Sequence, residues 1–101
     1  PTPVEYEPSF VDGIGSGALL DEMWPLAREL LAGSLVSELD QVAAAVGTLV
    51  ERNRVVVEGA GAAPVAAALA GGAGEGTVVC VVSGGNIDPG ALVAILEGRV
   101  P

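Results

Sequence analysis

Between Thr77 and Val82 the chain runs through six uncharged residues, five of them β-branched, and then enters Ser83-Gly84-Gly85-Asn86-Ile87-Asp88-Pro89. A run that is apolar on both of its alternating faces suits a strand covered by helices on both sides, as in a parallel sheet. The turn then stands at the strand's carboxyl end, with Asp88 as N-cap and Pro89 as first residue of a helix that ends at Gly98. Open α/β sheets hold their ligands in the crevice beyond the carboxyl ends of the strands, where the next helix offers free backbone N–H groups. The feature therefore predicts both a fold class and a place for a site.

The rest of the pattern agrees with that class. After a proline-bearing entry segment and a glycine-rich turn, Asp12 to Gly17, the spacing predicts a first helix over about Glu22 to Ala32, with Asp21 as N-cap and Pro25 in the first turn. Leu35 and Val36 suit a very short strand. Ser37 is expected to cap a second helix, with Asp40 three residues on, and Leu39, Val42, Ala45, Val46, Leu49 and Val50 form its stripe up to a stop at Asn53. Arg54 to Glu58 reads as a strand. Gly59-Ala60-Gly61 turns into an alanine-rich third helix with Pro64 in its first turn and its end near Ala70, and Gly71 to Gly76 is a surface loop. Strands alternating with helices predict right-handed βαβ units and an α/β fold with a parallel sheet. The two strong strands would then leave apolar edges, so the chain is expected to need further strands from another polypeptide or from a segment not present in it.

Composition narrows the chemistry. Thirteen acids against four basic residues give a net charge of −9, which argues against nucleic acid and against an anionic membrane surface. No uncharged apolar run is long enough to span a bilayer, and the N-terminus has no signal-peptide character, so a cytoplasmic setting is the default expectation. Cys80 is the single cysteine and reads as a small buried hydrophobe, and no metal-ligand spacing exists. Tyr6 and Trp24 are expected to pack or to lie at an interface. The chain contains neither histidine nor lysine, so acid-base work falls to carboxylates and Schiff-base chemistry is impossible with these residues alone.

If the unit joining the two strong strands is local and right-handed, Glu58 and Ser83 stand side by side at the carboxyl edge, each followed by a glycine that lets a flat ligand approach the backbone. On local grounds alone Ser83 to Asn86 reads equally as a turn that caps the helix. Gly59 to Pro64 imitates a dinucleotide fingerprint but has proline where its third glycine belongs. Gly13, Gly15 and Gly17 lack that spacing and read first as a loop needing positive φ.

Phe10-Val11-Asp12-Gly13, Val55-Val56-Val57-Glu58-Gly59-Ala60-Gly61-Ala62 and Val82-Ser83-Gly84-Gly85-Asn86-Ile87-Asp88 together resemble the C-terminal part of threonine dehydratase and serine racemase, fold-type II enzymes that use pyridoxal phosphate. The resemblance runs over nearly the whole of residues 1–101 and implies one C-terminal part of a catalytic domain, in a tryptophan synthase β-like architecture. It implies that Ser83 hydrogen-bonds the cofactor's pyridine nitrogen and that Gly84 belongs to the same turn. Gly13 would line the ring through its backbone, and Glu58 would face the same pocket. The family's Schiff-base lysine, phosphate loop and substrate loop have no counterpart here, so the chain alone is expected to be inactive. Its implied partners are the N-terminal remainder of the enzyme, a small amino-acid substrate and further copies in a homo-oligomer. The implied activity is L-threonine or L-serine ammonia-lyase; a racemase or another fold-type II enzyme, or a non-catalytic interaction module, are the alternatives.

Overall fold

The computed structural model describes residues 1–101 as a slab of 41 × 34 × 19 Å built from four α-helices and connecting segments. A 3-10 turn at Asp21–Met23 leads into α1 (Trp24–Leu30), with Pro25 early enough that its missing N–H breaks no helical bond. Asp21 does not cap: Leu20 precedes the turn and the Asp21 side chain makes no cap bond. The helix also stops at Leu30 rather than Ala32, with Leu31 extended. The reason is tertiary. Leu30 and Leu31 remain about two-thirds exposed at 68% and 66%, and α1 approaches none of the other helices, so nothing holds a further turn.

The second helix, α2 (Leu39–Thr48), continues into a π-helical turn at Leu49–Asn53. Its start lies one residue later than expected. Glu38, not Ser37, is the N-cap, and its N–H donates to Gln41 Oε1 at 2.9 Å, while Asp40 Oδ1 accepts from the Gln41 N–H at 2.8 Å. The longer Gln41 side chain makes the reach back that the sequence pattern assigns to Asp40. Val42, Ala45, Val46 and Leu49 are buried as the stripe requires, whereas Leu39 at its outer edge stays exposed. Asn53 ends the helix, and Arg54 closes it in the left-handed conformation, φ 57°, instead of opening a strand.

From Glu58 as N-cap, α3 (Gly59–Leu69) takes the whole Gly59-Ala60-Gly61 segment into its first turn, which places Pro64 at the sixth position and inside the helix. Glycine is a poor helix former, and the structure shows what overrides it: Gly59 lies against Phe10 and Gly61 against the Ser83 backbone. The helix ends in a Schellman arrangement, with the Gly71 N–H on Ala68 O and the Gly72 N–H on Ala67 O, each at 3.0 Å, and Gly71 at φ 83°. The fourth helix, α4 (Pro89–Leu96), forms as its sequence directs. Asp88 Oδ2 accepts from the Ala91 N–H at 3.1 Å, Pro89 opens the first turn, and a second Schellman pair runs from Gly98 to Ile95 and from Arg99 to Ala94.

The core lies where α2 meets α3 and α4. Val42, Ala45 and Val46 of α2 face Ala62 and Ala66 of α3 and Ile95 of α4, and Val57 enters from the connecting segment at 1% exposure. The expected parallel sheet is the main difference. Residues 54–58 and 77–82 form no ladder, and of their backbone groups only those at the ends, in Arg54, Val55 and Glu58, make hydrogen bonds outside the helices. A ladder needs a neighbouring strand in register, and here no backbone hydrogen bond joins the two segments; the nearest is that of the Glu58 N–H to Gly84 O at 3.0 Å, just beyond the second segment. Val79 and Val81 are left 86% and 74% exposed.

Candidate site on the first turn of α3

Three separate segments converge on the start of α3. The 3-10 turn Asp12–Ile14 packs on this helix, and Phe10 ahead of it places its ring and carbonyl against Gly59. Glu58, half-buried, caps the helix, and the turn Ser83 to Gly85 crosses it. Glycine is required at two of these points. A β-carbon at Gly13 would lie 2.9 Å from Ala60 Cβ and 3.2 Å from Glu58 Oε1. At Gly84, already at φ 73°, it would overlap the Glu58 carboxylate, lying 2.7 Å from Cδ. The structure thus brings Gly13, Glu58 and Gly84 together around one carboxylate.

Ser83 joins them through its backbone. Its carbonyl lies against Gly61, while its side chain is exposed and its hydroxyl has no hydrogen-bond partner within the chain. Glu58 and Ser83 therefore sit on neighbouring segments tied by the Glu58 to Gly84 bond, as the sequence led one to expect, even though no ladder joins the segments. An exposed, unpartnered hydroxyl and a carboxylate offer a flat polar ring edges to bond, while the β-carbon positions of Gly13 and Gly84 are already taken by Ala60 and Glu58.

Several other expectations are corrected. Gly13, Gly15 and Gly17 all have ordinary φ values; Gly15 is needed because the Tyr6 phenol occupies the space of its side chain. Gly59 and Gly61 are covered by Phe10 and Ser83, which leaves no close approach there for a pyrophosphate. Cys80 is half-buried rather than fully buried, and its Sγ–H donates to Pro64 O at 3.6 Å. The role of Gly61 against Ser83 was missed. The signal was present, a glycine three residues beyond Glu58 at the polar end of that segment, but its reading as a helix-opening turn pointed away from a tertiary contact.

A sizeable concavity lies elsewhere. A groove of about 700 Å³ runs beside α3 between Leu35, Leu39, Ala63, Ala67, Val79 and Cys80, and none of Gly13, Glu58, Ser83 or Gly84 borders it. Its lining is almost wholly apolar, without the convergent polar groups of a ligand site. No group of three His, Cys, Asp or Glu side chains is placed to hold a metal ion, and no helix is long and apolar enough to cross a membrane.

The family model described as pyridoxal-phosphate dependent enzyme matches residues 1–84. An L-threonine ammonia-lyase of Geobacter sulfurreducens is 36% identical over 91 residues, covering 88% of this chain and 23% of the relative. A putative threonine dehydratase of Sinorhizobium fredii is 34% identical over 104 residues, covering 99% of the chain and 31% of the relative. An L-threonine ammonia-lyase of Thermotoga maritima is 35% identical over 95 residues, covering 93% and 24%. Among solved structures, a T.th. threonine deaminase superposes with a TM-score of 0.80 at 32% identity, over 86% of this chain and 32% of that one. The chain therefore spans about a quarter to a third of the length of these proteins.

Proposed function

The chain belongs to the pyridoxal-phosphate dependent enzymes, and we propose that it forms one wall of the cofactor pocket in an L-threonine or L-serine ammonia-lyase. The observation that carries this reading is the convergence of Gly13, Glu58 and the Ser83-Gly84 turn on the first turn of α3. The names of the relatives, ammonia-lyases and a deaminase of threonine, supply the reaction class.

When bound, pyridoxal phosphate supplies a conjugated ring that accepts the electron pair released at the substrate's α-carbon. This chain's residues hold and tune that ring. The Ser83 hydroxyl, which has no partner in the chain, would hold the ring nitrogen through Oγ. Being neutral, it does not hold a proton on that nitrogen as a carboxylate would. A neutral partner of this kind would leave the bound group a weaker electron sink, which suits loss of a β-hydroxyl. Gly13 and Gly84 would border the ring through their backbone groups, the space beside their Cα atoms being taken by Ala60 and Glu58, and the Glu58 carboxylate would lie at the same place. Overall, the amino acid loses its amino group as ammonia and leaves as a 2-oxo acid.

The remaining parts come from the longer polypeptide. A chain without lysine cannot hold the cofactor covalently, and the open backbone of residues 54–58 and 77–82 is suited to pairing with further parallel strands. The apolar groove and the bare face of α1 are surfaces for the rest of that domain or for a second subunit. Ser83→Ala in the complete enzyme tests the reading: turnover and cofactor affinity should each fall about tenfold, as expected for one hydrogen bond to the ring, with the far-UV spectrum unchanged. Wild-type turnover together with a wild-type cofactor absorption spectrum would remove Ser83 from the site.

A further inference from the structure

The Ser83 carbonyl oxygen occupies the position that a β-carbon of residue 61 would take, and the Ser83 carbonyl carbon would lie only 2.7 Å from such an atom. One residue further on, Gly84 O accepts the Glu58 N–H at 3.0 Å. The turn carrying the free hydroxyl is thus seated on the first turn of α3 at two successive points, one a hydrogen bond and one a direct backbone approach. Gly61 is buried within that turn and has φ in the ordinary range, so conformational freedom does not explain the glycine. Only the missing side chain does. We propose that Gly61 is a positioning residue for Ser83: the space it leaves sets how deeply the Ser83 turn sits on α3, and thereby where the hydroxyl is aimed.

This inference rests on the reading of Ser83 as the ring-nitrogen contact and deepens it. Any side chain at position 61 must push the Ser83 carbonyl outward or tilt α3, because the two nearest obstructing atoms are Ser83 backbone and cannot rotate away, while the third, Val57 Cγ2 at 2.8 Å, belongs to a buried side chain. The displacement passes directly to Ser83 Oγ, two bonds from the same Cα. A misplacement of about 1 Å at a reacting centre costs about 100-fold in rate, so one methyl group at a residue that touches no ligand is expected to have a large effect.

The test uses the complete enzyme and four proteins: wild type, Gly61→Ala, Ser83→Ala and the double variant. Gly47→Ala serves as a control, since a β-carbon there meets Ile95 Cγ2 at an ordinary 3.6 Å. Cofactor affinity is measured by titrating apoenzyme with pyridoxal phosphate, alongside the absorption spectrum of the bound cofactor and the far-UV spectrum of the apoenzyme. Gly61→Ala should bind the cofactor at least about tenfold more weakly, the loss expected for one hydrogen bond. It should have a shifted absorption band and a wild-type far-UV spectrum, and should lower affinity less than about threefold further in the Ser83→Ala background. Multiplying losses in the double variant, wild-type affinity and band in Gly61→Ala, or loss of its far-UV spectrum would each overturn the proposal; the last would make the glycine a folding requirement. Should Ser83→Ala itself bind and absorb as wild type, the reading of Ser83 fails first. A weakened Ser83→Ala beside an unaffected Gly61→Ala leaves that reading standing and rejects the positioning role alone.

Discussion

Gly84 combines two demands that are usually met separately. Its φ of 73° excludes most side chains, and the space beside its Cα is filled by the Glu58 carboxylate. Gly84→Ala should therefore destabilise the apoenzyme by about 1–3 kcal/mol, measured by chemical denaturation. The two causes separate in a double variant. Glu58→Ala removes the obstruction but not the backbone strain, so Gly84→Ala should cost less in that background, and equal costs in both would show that strain alone acts. Asp88 gives a simpler case. Its carboxylate accepts the Ala91 N–H at 3.1 Å and nothing else, so Asp88→Ala should lower stability by about 1 kcal/mol while leaving cofactor affinity unchanged. A change in affinity would mean that α4 communicates with the Ser83 turn just before it.

At the scale of elements, the features legible in the sequence are those fixed by neighbouring residues. The Asp88-Pro89 start, the Gly98 stop and the inner part of the α2 stripe, Val42 to Leu49, follow from capping chemistry and periodicity and form as anticipated, while Leu39 and Val50 at its ends are not buried. Features set by distant contacts were not. The α1 terminus depends on packing that this chain does not supply, and the start of α3 depends on Phe10 and Ser83 lying against two glycines that local propensity would exclude from a helix. The apolar runs at residues 54–58 and 77–82 have the composition of strands, but composition cannot provide the neighbour that makes a ladder. The site was half visible for the same reason. Glu58 and Ser83 were singled out from their places at the ends of two apolar runs, and Gly13 and Gly84 through a resemblance, while the contact of Gly61 with Ser83 appears only once backbones are in contact. Pro64 is a consequence with a measurable outcome: at the sixth position of α3 it lacks the N–H that would bond Ala60 O. Pro64→Ala should raise the stability of the complete enzyme by about 1–3 kcal/mol, seen as a higher denaturation midpoint with an unchanged slope. The Cys80 contact is to the Pro64 carbonyl and survives the change.

For the whole molecule, the decisive quantity is how little of the chain is covered. Only 12 of 101 residues are buried, none of them in the first 41, and large apolar side chains such as Leu30, Leu35, Val36, Val79 and Val81 stand more than half exposed. A free-standing domain of this length would bury more than half of the surface its unfolded chain exposes. What remains open here is apolar groove, unpaired backbone and one face of α1, all of which favour association when uncovered. Opposing this is the net charge of −9, which keeps copies apart at neutral pH by mutual repulsion. The balance shifts with acid. As carboxylates take up protons toward the isoelectric point near 4.1, repulsion falls while the apolar surface is unchanged. The isolated chain should therefore bind a hydrophobic dye at pH 7 and pass from small species to large aggregates between about pH 6 and 4, followed by light scattering. Added salt at pH 7 should promote the same association by screening. A sharp, dye-free monomer at both pH values would show that the exposed surface is not a docking face, and the proposal that further polypeptide completes the pocket would lose its physical basis.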